Sequence, residues 1–192
     1  MQLEFQDSAE LRAKRLASIP KLTADASEGD VEAQVALAWE YARGDVVALD
    51  IAAAWHWFDR AAASGQKGAL THRARFLQLR HVPEGTRTLR KLAAEGEWQA
   101  QFWLARHLQS QPGRVNHLRA VVWFDRSFKN GCPGGNVAKL RQLTRLAPLP
   151  AKPVLLARSI VATIAFVRLL ARQEKQVELM KPLMYQLRSG KN

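Results

Sequence analysis

Ala54-Trp55-His56-Trp57-Phe58-Asp59-Arg60-Ala61-Ala62-Ala63-Ser64-Gly65 decides the fold, because much of it returns later in the chain. Ala120, Trp123, Phe124, Asp125, Arg126 and Gly131 repeat Ala54, Trp57, Phe58, Asp59, Arg60 and Gly65, a separation of 66 residues from Gly65 to Gly131. With Gly29 and Gly96 the boundary glycines step by 36, 31 and 35 residues, the period of a helix-turn-helix repeat. After each glycine a first helix aligns by offset. Position +4 holds Ala33, Ala69 and Ala100, position +5 holds Gln34, Leu70 and Gln101, and position +8 holds Leu37, Arg73 and Leu104. Position +12 holds Tyr41, Leu77 and Leu108. Offsets of four share a helical face, so these positions form the buried stripe. In the second helix Ala54, Trp57, Phe58, Ala61 and Ala62 follow a core-facing pattern, the alanines admitting a close neighbour and Trp and Phe filling the space between units. Glycine ends each unit because it takes the left-handed C-terminal conformation without penalty, and Asp50 stands where an N-cap belongs.

These residues resemble the Sel-one-like repeat, a relative of the tetratricopeptide repeat with a longer loop between its two helices. The first unit carries the resemblance in Gly29, Glu32-Ala33-Gln34, Leu37, Tyr41, Gly44, Val47, Asp50, Ala54, Trp57, Phe58, Ala61, Ala62 and Gly65. The third keeps Ala100-Gln101, Leu104, Ala120, Trp123 and Phe124, with Ser127 and Phe128 replacing the alanine pair. The middle unit departs furthest: Arg73 takes the leucine position, Thr88 and Leu89 replace the aromatic pair, and the loop is short. The resemblance implies an all-α, right-handed α/α superhelical solenoid that holds other proteins on a helical surface without catalysis of its own. The expected organisation is N-terminal capping helices over 1–28, three repeats within 29–135 (29–64, 65–95 and 96–131), and a basic helical cap over 136–192.

Charge is unevenly placed. Of 29 Lys and Arg and 17 Asp and Glu, residues 1–65 hold 6 and 11, and residues 66–192 hold 23 and 6. A field of that sign draws acidic partners: an acidic protein, nucleic acid, or an anionic membrane surface. No nucleic-acid-binding motif accompanies the charge. A single Cys132 excludes an internal disulfide, and the N-terminal residues lack the basic and apolar regions of a cleaved signal. Together with the frequency of the resembled family in bacteria, this points to a bacterial-type cytoplasm.

The flanks read as helices. Residues 7–18 form one with acids first and bases last, and Pro20 opens a second running to Gly29. Cys132-Pro-Gly-Gly-Asn136 reads as a helix-breaking turn before a helix over about 136–146, and Pro148, Pro150 and Pro153 mark a linker. Val154 to Leu170 is too short and too charged, with Arg158 and Arg168, to span a bilayer. The preferred reading buries it as a cap on the last repeat; a dimer or partner contact and a membrane-surface helix are the alternatives. Leu179, Leu183, Met184 and Leu187 extend its apolar pattern, with a kink at Pro182.

Catalytic material is scarce. His56, His72, His81, His107 and His117 show no metal-binding spacing, no nucleophile has a helper, and neither a metal nor a cofactor is expected. Asp59 and Asp125 recur as structural positions facing Arg60 and Arg126, and His56 reads as a surface residue at the groove edge. Binding is therefore the expected function. In tetratricopeptide-like solenoids the first helices form the inner wall, and their unburied offsets +7 and +10 share a face. Those positions select Trp39, His72, Arg75, Trp103 and Arg106 as the groove lining, engaging an acidic peptide or helix through Arg hydrogen bonds and aromatic contact. The competing reading packs Trp39 and Trp103 against a neighbouring helix. The rival function is a basic module on nucleic acid or anionic membrane.

Overall fold

The computed structural model describes residues 2–165, 168 and 169, with side chains from residue 12 onward, residue 149 excepted. Eight α-helices follow in order: α1 (Gln2–Glu28), α2 (Val31–Arg43), α3 (Ile51–Ala62), α4 (Lys67–Leu79), α5 (Pro83–Ala94), α6 (Trp98–Ser110), α7 (Arg114–Lys129) and α8 (Pro133–Leu146). A 3-10 turn at Leu149–Ala151 then leads into α9, residues 152–165. The described residues contain no strand. The chain divides into two compact bodies, Met1–Ala100 and Gln101–Asn192.

In the first body consecutive helices pack as hairpins: α1 on α2, α2 on α3, α3 on α4 and α4 on α5, with α2 also touching α4. The cores follow the repeat. Phe58, Leu89 and Phe124, each seven residues before a boundary glycine, are all 0% exposed. Leu89 thus supplies in the middle unit what phenylalanine supplies in the others, and α4 and α5 form a complete hairpin despite the divergent sequence. The +4 alanines Ala33, Ala69 and Ala100 are buried, as are Leu37, Leu77 and Leu104. Gln34 and Gln101 are buried too, each occupied: Gln34 Nε2 donates to the Ala26 carbonyl (3.0 Å), and Gln101 Oε1 accepts from Asn130 Nδ2 (3.0 Å). Gly29, Gly65, Gly96 and Gly131 all have positive φ, as a left-handed helix stop requires. Asp30 and Asp50 cap α2 and α3, accepting from Ala33 N and Ala53 N at 2.9 Å, each cap contributing about 1 kcal/mol.

Several expectations are corrected. Residues 1–28 do not form two helices. α1 runs unbroken through Pro20. Proline removes the amide that would bond the Leu16 carbonyl, but Leu16 and Pro20 lie on the exposed side, where that oxygen is open to solvent. Meanwhile Arg15, bound to Glu40 at 2.7 Å, and buried Ala26 hold the other side of α1 to the body. Cys132-Pro-Gly-Gly-Asn136 breaks no helix either, because Pro133 is the first residue of α8. Proline is tolerated there, where its missing amide would have no partner. The same device opens α5: Val82 N bonds Leu77 O and Cys132 N bonds Ser127 O, both at 2.9 Å, and Pro83-Glu84-Gly85 matches Pro133-Gly134-Gly135. In both, glycine is required by close approach. A Cβ on Gly85 would stand 2.5 Å from Ala74 O and Gln78 N, and one on Gly135 2.8 Å from Phe124 O and Phe128 N.

The pairing of the recurrent aspartates also differs. Asp59 accepts from Arg73 Nε (2.6 Å) and Asp125 from Lys139 Nζ (2.8 Å), each partner lying fourteen residues on in the next helix. Arg73, seemingly a defect at a leucine position, thereby ties α3 to α4, and its Nη1 also donates to Glu84 of α5 (2.8 Å). Arg60 and Arg126 instead lie over Trp57 and Trp123, 5.5 and 4.8 Å from the ring centroids. Those tryptophans are half-buried, so phenylalanine fills the space between helices while tryptophan, sheltered by arginine, covers its border. Finally, α9 is not a buried cap: Val154, Leu156, Ile160, Val161 and Ile164 are exposed and only Ser159 is buried. The side of α9 that is covered is instead the one carrying Leu155, Ser159, Ala162 and Thr163, half-buried or buried. Leu179, Pro182, Leu183, Met184 and Leu187 lie outside the described residues.

Candidate functional site

Trp39 sits about two thirds of the way along α2, a helix fixed at its start by the Asp30 cap and at its end by Gly44, whose amide bonds the Glu40 carbonyl (3.1 Å). Its indole packs against buried Phe58 as a T-shaped pair with centroids 5.1 Å apart. Its Nε1 donates to His72 Nδ1 on α4 at 3.1 Å. That bond joins position +10 of one first helix to position +7 of the next. It requires a lone pair on Nδ1, so His72 is neutral with its proton on Nε2. Burial acts in the same direction, holding the His72 pKa below the usual imidazole value.

Arg75 follows His72 by three residues on α4, half-buried, and its Nη1 donates to Gln78 Oε1. Trp39, His72 and Arg75 are thus brought to one region where α2 meets α4. Two further residues belong to it. The Arg43 guanidinium lies 5.9 Å from the Trp39 centroid, and Glu40 takes ion pairs from Arg15 (2.7 Å) and Arg43 (3.6 Å). The four-residue spacing of Trp39 and Arg43 in a helix was the signal for the first of these.

Trp103 and Arg106 belong to the second body. Trp103 is half-buried, in a T-shaped pair with Phe102 (5.4 Å), and Arg106 is exposed with Nη1 donating to Gln109 Oε1 (3.1 Å). Arg106-Gln109 therefore reproduces Arg75-Gln78. Beneath it Gln109 Nε2 donates to fully buried Gln142 Oε1 (2.6 Å), and Gln142 Nε2 contacts His117 Nδ1 (2.8 Å). This network, unread in the sequence, fixes α6, α7 and α8 against one another. His56 is exposed, as expected. The Asp125 carboxyl is held below the usual carboxylate range by hydrogen bonds from Lys129 and Lys139.

The chemistry offered is that of a surface: half-buried aromatic edges with guanidinium groups beside them. Among the described residues no three His, Cys, Asp or Glu side chains gather where they could hold a metal ion, and no helix is long and apolar enough to cross a membrane.

The arrangement of hairpins has counterparts among solved structures. Over 78% of its length the chain matches a protective antigen present in uropathogenic Escherichia coli strains that displays an SLR fold, with a TM-score of 0.54 and 19% identity. Over 80% it matches a Sel1 repeat protein from Oxalobacter formigenes, with a TM-score of 0.50 and 21% identity. The fold is that of the Sel-one-like repeat, within the all-α solenoid class. The chain spans 33% of the first of those two repeat proteins and 49% of the second. No family model matches the sequence, and no curated protein matches it. Recognition of the Sel-one-like repeat therefore rests on the matched positions inside the chain and on the fold they produce.

Proposed function

We propose that this chain is a protein-interaction adaptor that takes an acidic peptide or helix on the first helices of its repeats, and that it carries no catalysis. The observation that supports this most is the junction of α2 and α4. There half-buried Trp39 is held in one orientation by Phe58 and His72, with Arg43 beside its ring and Arg75 one turn on from His72 along α4. Rigid aromatic and arginine side chains are the usual anchors of protein interfaces, because little side-chain entropy remains to be lost on binding. Trp103 and Arg106 supply the corresponding features on α6. Since the Trp39 N–H is occupied by His72, the partner meets what remains exposed of the half-buried indole and the guanidinium donors. The basic excess after residue 65 favours an acidic ligand. A bacterial cytoplasm is the proposed compartment.

The test is recovery of partners from a host extract by the full chain and by the double variant Arg75→Glu with Arg106→Glu. The proposal expects the variant to lose the acidic partners recovered by the parent. Unchanged recovery, with the fold intact by circular dichroism, rejects these arginines as binding residues.

A further inference from the structure

We infer that α9 is an interfacial helix that docks this protein on an anionic lipid surface. Leu156, Ile160 and Ile164 form one row at four-residue spacing, and Val154 and Val161 a second row seven apart. At 3.6 residues per turn these rows cover about 160° of the helix. All five are exposed, from 46% at Ile164 to 65% at Val161. The opposite side carries Leu155, Ser159, Ala162 and Thr163, which are half-buried or buried. α9 thus turns its smaller and more polar side chains inward and its large apolar ones outward, the reverse of a helix placed only to cap a core.

Charge selects the occupant. Between Asp125 and Glu174 the sequence holds nine basic residues (Arg126, Lys129, Lys139, Arg141, Arg145, Lys152, Arg158, Arg168 and Arg172) and no acidic one. Arg158 stands at one border of the apolar arc, and Arg141, Arg145, Arg158 and Arg168 are exposed. A second copy of the chain would set like charges together around the apolar contact, and a nucleic acid would leave the apolar rows in water. A bilayer with acidic headgroups takes both features at once: acyl chains and glycerol region receive the apolar rows, and phosphates meet the arginines. The fourteen residues 152–165 rise only about 21 Å, so this stretch lies in the plane of the interface. The inference is independent of the adaptor function, since it rests on other residues.

The experiment is flotation of the full chain with vesicles of phosphatidylcholine alone and of two parts phosphatidylcholine to one part phosphatidylglycerol. The protein is expected to float with the anionic vesicles only, and to be released by salt. Ile160→Asp with Ile164→Asp alters exposed positions, so circular dichroism should be unchanged while partitioning falls by about tenfold or more. The inference is overturned if the parent floats with neither vesicle, or if the variant floats as the parent does. It is equally overturned if the variant instead loses a dimer seen by sedimentation equilibrium, or if DNA competes for the parent and binds the variant unchanged.

Discussion

Replacing Phe58 with alanine should cost about 4–5 kcal/mol of folding free energy, the upper part of the range for buried phenylalanine truncations. The ring is 0% exposed, T-shaped to Trp39 at 5.1 Å and tilted against Phe76 at 4.8 Å. Each aromatic contact contributes about 0.5–1.5 kcal/mol beyond burial, and the rigid helices around the site cannot collapse into the space. A domain of marginal stability, roughly 5–15 kcal/mol in total, would be brought near its unfolding threshold. Phe58→Leu, which keeps most of the volume but loses both aromatic contacts, should therefore accompany it and cost about 1–3 kcal/mol. Phe124→Ala should behave as Phe58→Ala does, because Phe124 occupies the matched position, also 0% exposed, with Phe102 at 5.5 Å. Urea unfolding followed by circular dichroism measures each loss. A cost below about 1 kcal/mol for either alanine variant, or tolerance at one phenylalanine and not at the other, would refute the shared core position.

Gly85→Ala and Gly135→Ala should each destabilise by about 1–3 kcal/mol, since the added methyl meets backbone that must shift; thermal unfolding would show it, and a neutral result would remove the close approach of these hairpins. Stability should also depend on pH through His72. Its folded pKa lies below the ordinary 6.5, so the native state binds its proton less readily than the unfolded chain does. Its contribution is full above that ordinary value and is lost as pH falls from it through the depressed folded value. His72→Asn, whose side-chain oxygen can still accept from Trp39, should flatten that acid-side decline in urea midpoints; an identical decline in both proteins would place the titration elsewhere.

The paired second helices were legible because Phe58 and Phe124 sit in near-identical segments whose apolar spacing fixes both the helix and its buried side. The middle unit was harder to read, since Leu89 replaces the aromatic ring by shape alone and Arg73 acts through partners on two other helices. Sequence also misassigned the aspartates: nearest neighbours in the chain, Arg60 and Arg126, are drawn to the tryptophans three residues before them, leaving Asp59 and Asp125 to bases in the next helix. Pro20 and Pro133 misled for one physical reason. Each reads as a breaker, yet one leaves a solvated carbonyl and the other opens a helix. The offset rule selected Trp39, His72 and Arg75, which lie where α2 meets α4. The hydrogen bond between the first two was not legible, because it depends on how α2 and α4 approach. The outward face of α9 was hidden for the same reason: an apolar run does not say which side its neighbours leave open.

The most direct measurement of the proposed binding surface is fluorine NMR of the full chain carrying fluorotryptophan, titrated with an acidic helical peptide and with its amide-neutralised counterpart. The Trp39 resonance, assigned by its loss in Trp39→Phe, should move saturably with the acidic peptide alone and return on addition of salt, while that of Trp57 stays in place. Binding that leaves Trp39 unmoved, or no response from any tryptophan to any acidic peptide, would contradict it.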